Sequence, residues 1–134
     1  MMENNTTDKR HCSRFRIEGA TLSYKKLKLF SFSPDYTEKN CPILDLSRGG
    51  CRFLSQKPPK IDTSVLVEIF LPDDDDPLFY YGEAKWFLPN PGFSYKYQVG
   101  IQFNAYGEDE RQNSFDNLEK IKELEHKCSN DAQA

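Results

Sequence analysis

The stretch Cys41-Pro-Ile-Leu-Asp-Leu-Ser-Arg-Gly-Gly-Cys-Arg-Phe-Leu54 contains two short apolar runs separated by a polar turn. Short apolar runs bounded by turn-forming residues are typical of β-strands. Between the runs, Asp45 and Ser47 can hydrogen-bond backbone amides of the turn, and Gly50 permits a backbone with positive φ. The sequence therefore predicts two strands joined by a turn that carries polar side chains.

The same strand pattern continues on both sides of this stretch. Alternation of apolar and polar residues predicts a first strand at Phe15–Ala20, and Thr21–Phe32 either continues it or pairs back against it. Downstream, proline-rich turn signals separate three further alternating segments, which predict strands at Val65–Ile69, Leu78–Leu88 and Tyr95–Phe103. The chain is thus dominated by β-structure.

The period changes only after Gly107, where apolar residues recur every three positions at Phe115, Leu118, Ile121 and Leu124. This spacing predicts an amphipathic C-terminal helix. We expect the acidic run 108–110 in its first turn and lysines later, an order that complements the helix dipole. About five to seven antiparallel strands followed by one such helix indicate an all-β fold, a small closed barrel with a C-terminal α-helix.

The chain has 134 residues, which is the size of one domain. We expect residues 1–8 to form a disordered polar segment, 9–128 the folded domain, and 129–134 a disordered tail. No run approaches the roughly 20 apolar residues that span a membrane. The polar start lacks the apolar stretch of a secretory signal. These features predict a cytoplasmic protein without membrane insertion.

Charge is distributed unevenly along the chain. Residues 9–60 contain twelve of the 18 Lys and Arg residues but only four of the 21 acids, so this part carries +8 and the remainder −11. A basic half within an acidic protein favours local binding of an anion. It disfavours a general nucleic-acid binder, which is usually basic overall.

Several other kinds of site lack their sequence signatures. The four cysteines (Cys12, Cys41, Cys51 and Cys128) are not spaced as a zinc site, so we expect reduced thiols, with Cys51 in the core. The acidic run 73–76 lacks the ligand spacing of a calcium loop. No phosphate-binding glycine loop and no nucleophile elbow occur. We therefore expect no metal site and no enzymatic activity.

The 17 aromatic residues also admit a nucleic-acid-binding barrel, in which aromatic rings stack on bases. Most of them alternate along predicted strands, so core packing explains them better. Trp86 and Tyr81 are the aromatic residues that we expect to line a groove, if one exists.

Two arginines near the N-terminus, Arg10 and Arg14, form the first part of a candidate binding site. Guanidinium groups pair bidentately with phosphate and stack on flat rings. Together with the polar turn at 45–50 they can grip a planar, doubly anionic ligand. Each motif alone has a simpler explanation: the arginine pair as ordinary surface charge, and residues 45–50 as a turn stabilised by its own hydrogen bonds.

Arg10-His-Cys-Ser-Arg14 followed by Asp45-Leu-Ser47-Arg-Gly-Gly50 resembles the pattern R-x-x-x-R and D/N-x-S-x-x-G of the PilZ family of bacterial cyclic di-GMP receptors. The segment Tyr97–Phe103 is similar to the strand that precedes the family's helix. The resemblance covers about residues 9–125 and implies a six-stranded antiparallel β-barrel with a C-terminal α-helix. Departures are a longer, more polar connection at 28–44 and the residues between the two arginines.

The resemblance implies two walls of one cyclic di-GMP site. In the first wall, Arg10 and Arg14 pair with phosphates and guanine edges and stack on guanine, while Lys9 adds charge and affects whether one or two ligand molecules bind. The second wall is implied to consist of four ligand-binding residues. Asp45 accepts hydrogen bonds from guanine N–H groups, and Ser47 hydrogen-bonds the ligand or the loop. Gly49 and Gly50 let the backbone approach the base.

The implied function is a non-enzymatic receptor that needs no cofactor besides its ligand. Its N-terminal arm orders over cyclic di-GMP and signals to an unidentified protein partner in motility, exopolysaccharide or biofilm control. The alternative is a PilZ-like protein-interaction module that binds no ligand. The pathway, ligand stoichiometry and oligomeric state stay open at this point.

Overall fold

The structure is a computed structural model that describes residues 13–28, 30–92 and 94–133, with backbone only at 129–133. Within these residues the chain forms seven strands and one helix. They are β1 (Thr21–Lys28), β2 (Ser31–Phe32), β3 (Glu38–Ser47), β4 (Gly50–Ser55), β5 (Ser64–Phe70), β6 (Leu78–Pro89), β7 (Tyr97–Phe103) and α1 (Phe115–Gln133).

Six of the strands close into an antiparallel barrel in the order β1-β3-β4-β7-β6-β5, and β1 pairs with β5 to complete it. Closure leaves the barrel strands without exposed edges. The short β2 is an extra strand that pairs only with the end of β1, Leu27 opposite Phe32. The expected six-stranded antiparallel β-barrel with a C-terminal helix is confirmed.

Alternation along the strands fills the barrel with apolar side chains, because successive residues face opposite sides of a strand. The most deeply buried large side chains include Leu22, Tyr24, Phe53, Val67 and Tyr80. The helix adds Ile121, which is 1% exposed, to this core. It is also anchored to β6, because the Tyr80 hydroxyl donates to the Asn117 carbonyl at 2.8 Å.

The predicted strand at Phe15–Ala20 is wrong. Phe15 forms only an isolated bridge with Leu46, in which each backbone N–H donates to the other's carbonyl at 2.8 Å. The chain then turns at Gly19, whose φ of 85° is unfavourable for other residues, and β1 begins at Thr21. Thr21–Phe32 therefore neither continues such a strand nor pairs back against it: Thr21–Lys28 forms β1, which pairs with β2, β3 and β5.

The expected position of the acidic run in the first helical turn is also wrong. The helix begins at Phe115, six positions after the middle of that run, and Asp116 is the acid of its first turn. Ser114 caps the helix, since its Oγ accepts from the Asn117 N–H at 3.1 Å. The helical backbone continues to Gln133.

Asn113 fixes the segment between β7 and the helix to the barrel. Its side chain is buried, and its Oδ1 accepts from the Tyr81 N–H at 2.7 Å. Its Nδ2 donates to the carbonyls of Tyr81 and Asn104, both at 3.0 Å. The Asn113 side-chain amide therefore forms hydrogen bonds with three backbone groups, the N–H and carbonyl of Tyr81 and the carbonyl of Asn104.

We predict that Asn113→Ala lowers the free energy of unfolding by about 2–3 kcal/mol, because it leaves buried backbone groups without partners. Urea unfolding followed by circular dichroism measures this change. The matched control is Asn117→Ala, which removes an exposed hydrogen bond to the Phe79 carbonyl and should cost less than about 1 kcal/mol. Equal losses for the two variants would contradict this role of Asn113.

Candidate functional site

The turn between β3 and β4 is built around Ser47 and two glycines. Ser47 is buried, and its Oγ accepts from the Gly49 N–H at 3.2 Å and donates to the Gly50 carbonyl at 3.5 Å. The Ser47 hydroxyl thus connects two backbone groups of the turn, the Gly49 N–H and the Gly50 carbonyl. Ser47 and Gly50 also pair directly across the two strands.

Gly50 is required by close packing rather than by a positive φ, which corrects the expectation from the sequence. A Cβ at this position would lie 2.1 Å from the backbone oxygen of Ile101 on β7. The neighbouring Gly49 is exposed, and a Cβ there would meet only the Ser47 Oγ at 3.9 Å. The two glycines therefore have different roles.

Asp45 is 8% exposed and holds two arginines. Its Oδ2 accepts from Arg52 Nε at 2.8 Å and from Arg52 Nη2 at 2.5 Å. Its Oδ1 accepts from Arg14 Nη1 at 3.3 Å. Asp45 and Arg52 are cross-strand partners on β3 and β4, so the barrel register itself brings them together. These hydrogen bonds raise the pKa of Arg52 above its ordinary value, which keeps the guanidinium charged.

The two arginines are held with different strength. Arg52 makes two bonds from a strand position, and its side chain is 37% exposed. Arg14 makes one longer bond from the segment before β1, and its side chain is 60% exposed. Because charge-assisted hydrogen bonds weaken with length and exposure, Arg14 is the more easily displaced of the two.

A cleft of about 310 Å³ opens beside this cluster. It is bounded by the β3–β4 turn on one side and by β6 and β7 on the other. Its lining residues are Arg14, Ser47, Gly49, Gly50, Cys51, Arg52, Lys85, Trp86, Gly100, Ile101 and Gln102.

Trp86 gives the cleft an aromatic wall. Its indole packs directly on Gly100, where a Cβ would lie 2.2 Å from the ring. Any larger residue at position 100 would move the ring. An aromatic wall next to guanidinium groups suits a flat, anionic ligand, which can stack on the ring while its charges are paired.

Three cationic side chains line the cleft, and the carboxylates that pair with them lie outside its lining. Lys85 adds its ammonium to the guanidinium groups of Arg14 and Arg52, although it also lies 2.9 Å from Glu83 Oε1 and 3.7 Å from Asp62 Oδ1. Cys51 contributes a neutral thiol, because burial raises its pKa far above the ordinary value. The electrostatic balance of the cleft therefore favours an anion.

Most of the predicted site residues are brought together. Arg14, Ser47, Gly49 and Gly50 line the cleft, and Asp45 lies against two of its arginines. Lys9 and Arg10 lie outside the described residues, as does the predicted disordered segment 1–8.

Sequence reasoning missed Arg52, Lys85 and Gln102, because only the strand register places them at the cleft. Trp86 lines the groove as expected. Tyr81 does not line this cleft, since its ring stacks on Phe32 with the centroids 5.8 Å apart.

The turn is also attached to the C-terminal helix. Arg48, between Ser47 and Gly49, has its Nε 3.1 Å from Glu125 Oε1 in α1. Its carbonyl accepts from the Tyr106 hydroxyl at 2.6 Å. A change in the turn therefore reaches the helix through direct contacts.

We predict that Gly50→Ala destabilises the fold, whereas Gly49→Ala does not. The added methyl group at position 50 overlaps the backbone of β7, so we expect a loss of about 2 kcal/mol or more. Thermal unfolding of the two variants and the parent chain measures the difference. Unchanged stability of Gly50→Ala would show that the strands can separate at this point without cost.

No helix in the residues that the structure describes is both long and apolar enough to cross a membrane. A comparison with curated proteins finds no match for the chain. The sequence profile of the PilZ domain, by contrast, matches residues 8–118. This match spans both arginine positions, the polar turn and the whole barrel. The chain therefore belongs to the PilZ domain family, a family of cyclic di-GMP-binding receptors.

Proposed function

We propose that this protein is a non-enzymatic receptor that binds cyclic di-GMP in the cleft beside Asp45. The observation that carries the proposal is the convergence of Arg14 and Arg52 on one buried carboxylate at the mouth of an aromatic-walled cleft. Cyclic di-GMP offers two phosphates and two guanine rings. The cleft supplies cations for the phosphates and a ring for stacking.

Arg14 is the main phosphate ligand in this proposal. Within the described residues it donates only through Nη1, to Asp45, so its Nε and Nη2 have no partner there and can bond a phosphate or a guanine edge. A bidentate contact with phosphate is stronger than the single 3.3 Å bond that Arg14 would give up. Arg10 and Lys9 would join it from the N-terminal arm.

Asp45 has two successive roles. Without ligand, both of its oxygens hold arginines, so it orients Arg14 and Arg52. When Arg14 turns toward the ligand, Oδ1 becomes available to accept from a guanine N–H group. Arg52 stays bound to Oδ2 and keeps the buried carboxylate compensated, as a buried charge requires.

The N-terminal arm is the element that responds to the ligand. Among the described residues 13–19, Phe15 makes the single backbone bridge, to Leu46, and the segment is otherwise attached through side chains: Arg14 bonds Asp45, and Phe15 and Ile17 pack against the core. Movement of Arg14 would reposition the arm, and the contact of Arg48 with Glu125 carries a change in the turn to the helix. A protein partner in the bacterial cytoplasm can recognise the ligand-bound protein through the repositioned arm or through the helix. Such a partner controls motility, exopolysaccharide or biofilm formation.

We predict that isothermal titration detects cyclic di-GMP binding to the intact chain and that Arg14→Ala weakens it by about ten- to a hundredfold. The reason is the loss of charge-assisted hydrogen bonds worth about 1.5–3 kcal/mol. Arg16→Ala is the matched control, because Arg16 lies two residues away, pairs with Glu18 and has a similar exposure, 66% against 60% for Arg14. It should bind like the parent chain.

Absence of binding by the intact chain at high micromolar ligand would overturn the proposal. It would favour the alternative of a ligand-independent interaction module, for which the existing pairing of Asp45 with both arginines is the supporting observation. In that case Arg14→Ala would leave a partner's binding unchanged.

We also predict that Trp86→Ala weakens cyclic di-GMP binding by about tenfold, since stacking of a base on an aromatic ring contributes about 1–3 kcal/mol. Titration calorimetry provides the measurement, and Trp86→Phe should recover most of the affinity. Phe87→Ala, at the neighbouring exposed position outside the cleft, is the control. Equal effects at positions 86 and 87 would indicate that the ring does not contact the ligand.

A further inference from the structure

Glu68 on β5 is a buried acid without a partner in the residues that the structure describes. It is 9% exposed, yet its carboxylate accepts no hydrogen bond and forms no ion pair there. Acidic side chains are almost never buried this deeply unless they are paired. An unpartnered buried carboxylate therefore requires an explanation.

Every other buried polar side chain in the described part of the chain forms at least one hydrogen bond. These side chains are Ser23, Asp45, Ser47, Ser55, Asn90 and Asn113. The closest comparison is Asp45, which is 8% exposed and accepts from two arginines. Glu68 is equally deep in the protein but has no such cation.

The strand register places Glu68 on the outer wall of the barrel. Val67 and Ile69 are fully buried and face the interior, so Glu68 between them faces outward. Its cross-strand partners are Ser23 on β1 and Phe79 on β6. The carboxylate side chain therefore lies between a hydroxyl group and a phenyl ring.

The Phe79 ring lies beside Glu68 at the shorter of the two pair spacings in an antiparallel sheet. The N–H and carbonyl of Tyr81 both bond Asn113, and the carbonyl of Phe79 accepts from Asn117, so these groups point away from β5. Pairs of this kind have the closest side chains. Phe79 is also 45% exposed, so its ring is accessible to a binding partner.

Two further apolar side chains border the carboxylate along its own strand. Leu66 and Phe70 lie two positions before and after Glu68, and therefore on the same face. Phe70 is 36% exposed. In the described residues no fully buried side-chain oxygen lacks a partner, so the oxygens of Glu68 must contact solvent. We call Leu66, Glu68, Phe70 and Phe79 the Glu68 recess.

Lys25 is a cation close to this recess by register, but it is engaged elsewhere. It pairs with Leu66, one position along the same outer face. Its Nζ lies 4.8 Å from the centroid of the Tyr36 ring, and no ion pair joins it to Glu68. The negative charge of the recess is therefore left uncompensated by the described residues.

We propose that the Glu68 recess binds an arginine side chain of a partner protein. A guanidinium group pairs bidentately with a carboxylate and stacks on aromatic rings, so it would compensate Glu68 and cover Phe79 and Phe70. A buried polar contact surrounded by apolar side chains is also typical of the strongest positions in protein interfaces. The recess shares no residue with the lining of the cyclic di-GMP cleft.

An arginine fits the recess better than a metal ion or a lysine. Calcium and magnesium require several oxygen ligands, and no group of three or more potential metal ligands gathers in the described residues. A lysine ammonium could pair with the carboxylate, but it lacks the planar group that stacks on a phenyl ring.

An NMR titration of the isotope-labelled full chain tests the proposal. The probe is a blocked pentapeptide with a central arginine between two leucines. Its matched control carries citrulline, which keeps the shape of arginine without the charge. We expect the arginine peptide to shift the amide signals of β5 and β6 around Glu68 and Phe79. The citrulline peptide should bind at least about tenfold more weakly.

Variants of the recess assign the binding to particular side chains. Glu68→Gln should weaken binding of the arginine peptide about tenfold and leave urea unfolding unchanged, because the carboxylate has no described partner to lose. Phe79→Ala should weaken binding about threefold through the lost cation–π contact. The controls are Glu123→Gln, an exposed acid on the helix, and Phe87→Ala, near the other end of β6. Both should bind the peptide like the parent chain.

Four results would overturn the proposal. They are an absence of signal shifts at millimolar peptide, equal binding of the arginine and citrulline peptides, equal losses for Glu68→Gln and Glu123→Gln, and equally tight binding of N-acetylarginine amide. The last result would assign the recess to a free guanidinium compound. Arg14→Ala should bind the peptide normally and Glu68→Gln should bind cyclic di-GMP normally, so the two proposals can fail separately.

Discussion

The pairing of β1 with β5 is the constraint on which the rest of this structure depends. Six consecutive residue pairs, from Thr21 with Phe70 to Lys26 with Val65, convert a sheet of strands into a closed barrel. Closure fixes the register of every other pair, because a shift of one residue would turn the apolar side chains outward. It also determines which residues of β3, β4 and β7 meet, and the candidate site lies where they meet.

The site combines a rigid wall and an adjustable one. Gly50 and Gly100 allow backbone and indole to approach to distances that no side chain would permit, so the turn and Trp86 have little room to move. Arg52 is bound to Asp45 within the same sheet. Arg14 is joined to this assembly by one longer bond. A buried carboxylate with two cationic partners can release one of them and remain compensated, which a single ion pair could not do.

Much of this fold was predictable from the sequence, for a simple physical reason. The strands alternate between a packed interior and solvent, and the turn residues at 47–50 are local signals that need no tertiary information. The extra strand predicted at Phe15–Ala20 failed because alternation continues into a segment that the turn at Gly19 detaches from the sheet. The helix start was misplaced because the acids before it resemble a first turn, whereas Ser114 supplies the cap.

The incomplete prediction of the site has a different cause. Arg14, Asp45, Ser47 and Gly50 form recognisable motifs, so spacing alone could identify them. Lys85 and Gln102 reach the cleft because β7 pairs with β6 and with β4, and Arg52 reaches Asp45 through the register of the β3–β4 hairpin. Asp45 forms hydrogen bonds with two arginines, and its bond with Arg52 likewise depends on the register of the two strands. Such contacts exist only once the strands have paired in register.

The attachment of Arg48 to the helix has a consequence for how such domains can diversify. Arg48 occupies an unspecified position of the D-x-S-x-x-G pattern, yet its side chain contacts Glu125 and its carbonyl receives the Tyr106 hydroxyl. The specified positions of the motif shape the cleft, while this intervening position connects the turn to the rest of the domain. Substitution of this one unspecified residue would therefore change the link between the turn and the helix and leave the residues that line the cleft unchanged.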